Sequence, residues 1–132
     1  WHDLATEIVV ALVSMAAAIV IGTTASVVGR SVAFGIGAAL AFYPLDNLLV
    51  ILMRLLSTIT NQHLWLDLTG YLLGANLSNL PAVLETDRAA QVAFAVPMVK
   101  VDPTHAWLVI GAWLLALVVL SVGLTWRRDV LQ

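Results

Sequence analysis

The stretch that most constrains this chain runs from Ala106 to Trp126 and is closed by Arg127-Arg128-Asp129-Val130. It holds about twenty uncharged, mostly apolar residues, and at ~1.5 Å per helical residue that length crosses a hydrocarbon core of ~30 Å. Trp107 and Trp113 lie in its first third and Trp126 at its far end, where amphipathic aromatic rings suit headgroup depth. Arginine is costly in lipid and attracted to the anionic cytoplasmic leaflet, so the arginine pair assigns this end to the cytoplasm. A surface helix of a water-soluble protein would carry a polar stripe, and this stretch has none.

Composition extends the reading to the whole chain. It is 61% hydrophobic and 11% charged, with a mean hydropathy of +0.99, against about 25% charged residues in an ordinary soluble domain. A net charge of -2 without a basic stripe leaves nothing to neutralise phosphates, which excludes a nucleic-acid surface. There is no cysteine, so neither disulfides nor thiolate metal sites are available. The length fits a single domain over 1–132. The opening Trp1-His2-Asp3 reads as part of something longer. Asp3 and Glu7 stand where a signal peptide would need basic residues.

The first span is expected from about Ile8 to Val28, without a charge. Ser14, Ala18, Gly22 and Ser26 recur every fourth residue and share a face. Small residues at that spacing let another helix approach closely, as membrane helices do when lipid supplies no hydrophobic drive. Gly29-Arg30-Ser31 then makes a short turn, giving an antiparallel hairpin with Arg30 at its cytoplasmic tip.

The second span is expected over 31–53. Ala33, Gly37 and Ala41 form a second small stripe, with Gly35 and Ala39 beside it. Pro44-Leu45-Asp46-Asn47 interrupts the second half, where proline removes a hydrogen bond and predicts a kink or break. Arg54 closes the span. Counting from Arg30 puts Asp46 roughly 24 Å into the bilayer, in its outer third, where a carboxylate must be protonated, paired or wet. Asp46, Asn47 and Arg54 are therefore candidate pathway residues, and Arg54, two turns on, could pair with Asp46. An interfacial carboxylate reaching outward to water is the equally weighted alternative.

The region 57–104 reads as outer. Leu64 to Leu84 is long and apolar enough to suggest a further span, yet Asp67, Gly70, Gly74, Asn76, Ser78 and Pro81 make it a poor lipid-facing helix. Asp67, Gly70, Gly74 and Ser78 fall on one side at helical spacing, and Leu64, Leu68, Tyr71 and Leu72 take another. That pattern suits a segment that dips part way or lies at the interface. Glu85 to Thr104, with Arg88, Lys100 and Pro97, reads as an ordered outer loop. The fold expected is all-α: a polytopic membrane protein with spans at 8–28, 31–53 and 106–126 and a partly re-entrant or interfacial helical segment between the second and third.

This order of features resembles the C-terminal half of an ABC transporter permease of the type 2 exporter class. The residues that carry the likeness are the small-residue hairpin, the acidic interruption at Asp46, the Leu72-to-Leu84 stretch and the Trp126-Arg127-Arg128-Asp129-Val130 ending. The resemblance implies a permease subunit, or half of one, in the cell (inner or plasma) membrane with a cytoplasmic C-terminus. It would form the translocation pathway, pair with a second permease copy and be driven by a separate ATP-binding subunit. The chain has no Gly-x-x-x-x-Gly-Lys-Ser/Thr loop with which to hydrolyse ATP itself. It departs from the family in lacking three of the six expected spans, including the N-terminal interface helix and the first cytoplasmic connection.

A reading from a different class is a small accessory subunit packed against a larger respiratory or photosynthetic complex. Pigment or haem binding would sharpen it, but none of His2, His63 and His105 lies inside an expected span, and no cofactor or metal is expected. Catalysis would rest on His63 and Asp67, four residues apart, without a positioned nucleophile, and no enzyme is expected.

Overall fold

In a computed structural model the described residues are 2–84 and 102–129. They form five helices: α1 (His2–Gly29), α2 (Val32–Thr60), α3 (Leu64–Thr69), α4 (Leu73–Leu84) and α5 (Pro103–Asp129). No strand occurs among the described residues. The outer loop expected over Glu85 to Thr104 lies outside them as far as residue 101. So do the final residues from Val130 and the side chain of Arg128.

Three of these helices are long and apolar enough to cross a membrane: Leu4–Gly29, Val32–Thr60 and Pro103–Arg127. Their large apolar side chains point outward, from Leu12 and Ile19 on α1 through Leu40 and Leu48 on α2 to Leu115 and Val119 on α5. An apolar exterior of this extent would drive association in water and fits a multi-pass membrane protein.

The α1–α2 hairpin closes where its sequence predicts. Arg30 takes a left-handed conformation, with φ 53°, and the Ser31 amide donates to Ser26 O at 3.2 Å, which satisfies a carbonyl of the last turn of α1. Ser31 then caps α2, its hydroxyl accepting from the Phe34 amide. Two expectations for α2 need correcting. Pro44 does not end the helix: α2 continues through it, because a membrane helix can re-satisfy or tolerate one freed carbonyl. Arg54 does not close the helix either. It is exposed in the interior of α2, which runs on to Thr60 and stops at Asn61 in a left-handed C-cap with φ 54°. Residues 57–60, expected in the outer region, belong to this helix.

The 64–84 stretch is two short helices rather than one span. A helix of 12 residues, the length of α4, reaches only ~18 Å. The break falls at Gly70-Tyr71-Leu72, where successive tight turns run from the Gly70 amide to Asp67 O and from the Leu72 amide to Thr69 O. The amphipathic reading of this stretch also changes. Gly70 and Gly74 are buried, whereas Asp67, Ser78, Leu64, Leu68 and Tyr71 are exposed. Gly70 and Gly74 therefore turn inward together with Leu73, Leu77 and Leu80, while Asp67 and Ser78 turn out with Leu64 and Leu68.

The core is built around α4, which packs against α1, α2 and α5. Leu73, Leu77 and Leu80 of α4 meet Ala17 of α1 and Ile110 of α5, with Phe42 and Tyr43 of α2 alongside. The short helix that carries Asn76, Ser78 and Asn79 is thus the innermost one, packed against three long helices.

The close contact of α1 and α2 runs through Gly22 and Ser26 on one side and Gly35 and Ala39 on the other. A Cβ placed on Gly35 would collide with Ser26 Oγ and Gly22 O, and one on Gly22 would sit 3.5 Å from Ala39 Cβ. Ser14 and Ala18 are half-buried on the same face of α1. The expected α2 stripe is out of phase with this seam. Ala33 is exposed and Gly37 has nothing within 4 Å of its Cβ position, while Ala41 is half-buried. At ~100° per residue, Gly35 and Ala39 lie roughly 120–160° away from Ala33 and Gly37 around the helix.

Candidate functional site

Asp46 is the central residue of α2 (Val32–Thr60), roughly 21 Å from either end of that helix. It is only 8% exposed. It does not reach outward to Arg54, which is exposed, but turns onto the first turn of α4. A Cβ on Gly74 would lie 2.6 Å from both Cγ and Oδ2 of Asp46, so the carboxyl occupies the place a larger residue would fill. The backbone amides of Gly74 and Ala75 face it. These are among the orphan donors of a helix N-terminus, and the helix dipole there favours negative charge. A residue of α2 thus supplies a helix cap that α4 lacks in its own sequence.

Asn76 completes the turn from within. Its side-chain nitrogen donates to Gly70 O at 2.8 Å and Leu72 O at 2.7 Å. From α5, His105 Nε2 lies 3.3 Å from the same Gly70 O, its ring meeting Tyr71 edge to face at 5.1 Å. Trp113 Nε1 donates to Tyr71 O at 2.8 Å. The carbonyls of Gly70, Tyr71 and Leu72 are therefore each held by a side chain. The turn is clamped by α2 on one side and α5 on the other. A separate tie joins α1 to α5, where the buried Thr24 hydroxyl donates to Leu117 O at 3.2 Å.

Three buried polar atoms have no hydrogen-bond partner among the described residues: Asp46 Oδ2, Asn76 Oδ1 and Trp65 Nε1. All belong to α2, α3 and α4. Beside Asp46 an apolar groove of about 630 Å³ runs along α2, lined by Ile21, Phe42, Leu45 and Leu49 among others. Asn47 is half-buried next to it. His63 and Asp67 are both exposed, and no group of three or more His, Cys, Asp or Glu comes together among the described residues. Arg30 and Arg127 are exposed at the ends of α1 and α5.

Sequence reasoning found Asp46 but not its partners. Gly74 and Asn76 stood out only as residues that made 64–84 a poor lipid-facing helix. His105 reads as headgroup-facing, yet it sits half-buried against the α3–α4 turn. Trp113 reads as an interfacial aromatic, yet its N–H is committed to a carbonyl. No protein family, curated protein or solved structure matches this chain.

Proposed function

We propose that this chain is part of the membrane domain of an ABC-type exporter of the type 2 permease class, lining part of its translocation pathway and driven by a separate ATP-binding subunit. The observation that carries the reading is the α3–α4 pair. It is a polar, broken helical hairpin seated among three long apolar helices and held at its turn by Asp46, His105 and Trp113. Irregular backbone at membrane depth is tolerated only where protein encloses it or it lines a cavity, and a broken hairpin beside the groove along α2 is an arrangement that a pathway would use. In this reading α1, α2 and α5 cross the cell membrane. Arg30 and Arg127-Arg128 lie on the cytoplasmic face, and α3–α4 enters from the outside.

The geometry suits alternating access. Both α2 and α5 grip the same short turn, so a change in their spacing moves α4 with it. Such rocking of packed helices between two discrete arrangements is how membrane transporters open to either side. Energy would come from the ATP-binding partner, because this sequence has no phosphate-binding loop.

The test is purification of the tagged protein from its native membrane in mild detergent. A co-purifying subunit with a phosphate-binding loop, whose ATPase rate changes on association, is the expected result. A fixed larger membrane complex without such a subunit would contradict the proposal and favour the accessory-subunit reading.

A further inference from the structure

We propose that Asp46 is a proton-binding site whose occupancy is coupled to the packing of α4 on α2. The inference stands on those two helices alone, whether or not the chain serves an exporter. Asp46 is more than nine-tenths buried. Its Oδ2 has under 1 Å² of accessible surface and no hydrogen-bond donor, and it sits against the backbone of Gly74, where no side chain intervenes. The amides of Gly74 and Ala75 attend the carboxyl, but with Oδ2 unpartnered they leave an ionised group partly uncompensated. Burying such a charge is expensive without a partner that serves both oxygens.

Among the described residues no such partner is within reach on any element packed against it. On α1 no residue from Ile8 to Gly29 is titratable, and Glu7 is exposed. On α3, Asp67 is exposed, and α4 has no titratable residue between Leu73 and Leu84. On α2 itself Tyr43 is half-buried and Arg54 exposed. His105 on α5 is engaged with Gly70 O. Oδ2 has under 1 Å² of accessible surface, while Asp46 also lines the apolar groove that runs along α2. The ligand that fits is a proton. One proton from the medium adds to the carboxylate, giving the neutral acid, and leaves again as α4 lifts and water reaches the group. Packing and protonation then favour one another by linkage.

The chain has no cysteine, so spin labels at Leu52→Cys on α2 and Ser78→Cys on α4, both exposed, report the spacing without background. In phosphatidylcholine nanodiscs we expect one short-distance population in acidic buffer and its progressive loss as the buffer is made alkaline. Asp46→Asn should keep the short distance throughout. A spacing that ignores pH, or an Asp46→Asn protein that responds to pH as the parent does, would overturn the proposal. If Asp46→Asn does not assemble, infrared spectroscopy decides. The C=O stretch of a protonated carboxylic acid should rise and fall with the short-distance population in the parent and be weaker in Gly74→Ala. Its absence from the parent would equally overturn the assignment.

Discussion

Asp46 and Gly74 are matched in size: the carboxyl of one lies where a Cβ of the other would be, 2.6 Å from Oδ2. They are 28 residues apart in sequence and on different helices, and their contact fixes the start of α4 against the middle of α2.

Gly74→Ala should therefore be costly although alanine is the better helix former. The added methyl must displace the Asp46 carboxyl or separate α4 from α2. Overpacking of this kind costs typically about 1–3 kcal/mol, against a helix-propensity gain of about 1 kcal/mol. A lowered unfolding midpoint in detergent or lipid is expected, with Gly74→Leu worse than Gly74→Ala.

The hairpin seam gives a paired prediction. Gly35→Ala should force α1 and α2 apart, because its methyl meets Ser26 Oγ and Gly22 O, and should destabilise by about 1–3 kcal/mol. Gly37→Ala meets nothing within 4 Å and should be neutral or stabilising by up to about 1 kcal/mol. Equilibrium unfolding of both variants under one condition checks the contrast. Equal effects would mean that α2 is rotated from the orientation described.

Asn76 holds two carbonyls with one amide nitrogen. Asn76→Asp replaces the donor by an acceptor and sets it against both, so it should destabilise more than Asn76→Leu. The leucine merely leaves Gly70 O to His105 and Leu72 O to the backbone amide of residue 76. Each buried group left unpaired costs about 1–3 kcal/mol. Hydrogen exchange of the Gly70–Asn76 amides should be fastest in Asn76→Asp.

Trp113→Phe trims the indole to a phenyl ring at a half-exposed position and loses the N–H bond to Tyr71 O, a neutral hydrogen bond worth about 0.5–1.5 kcal/mol. Exchange at the turn should speed up modestly while the ends of α5 stay unchanged. A global loss of fold would show that Trp113 acts through packing rather than through the hydrogen bond.

What was legible in the sequence follows from which interactions are local. Runs of uncharged residues long enough to cross a bilayer located α5 within three residues at each end, while α1 begins six residues before the expected span and α2 ends seven residues after it, because the helices run on past the apolar stretch. The Gly29-Arg30-Ser31 turn was readable because it too is local. The clamp on α4 was not. It joins Asp46 to Gly74, His105 to Gly70 and Trp113 to Tyr71, contacts that no periodicity within one helix encodes. The phase of the α2 seam failed differently. Small residues occur on two faces of that helix, at Ala33/Gly37 and at Gly35/Ala39, and only the position of α1 selects between them. Pro44 misled because proline breaks helices in water more readily than among packed membrane helices.

The central claim is three crossings with α3–α4 entering from the side opposite the arginine-bearing ends. Single cysteines at Arg30, Gln62 and Arg127, all exposed, can be labelled with a membrane-impermeant maleimide in sealed, oriented vesicles. Arg30→Cys and Arg127→Cys should label from the cytoplasmic face alone and Gln62→Cys only from the other. Labelling of Arg30→Cys and Arg127→Cys from opposite faces would contradict it, since the chain would then cross the bilayer once more between α2 and α5.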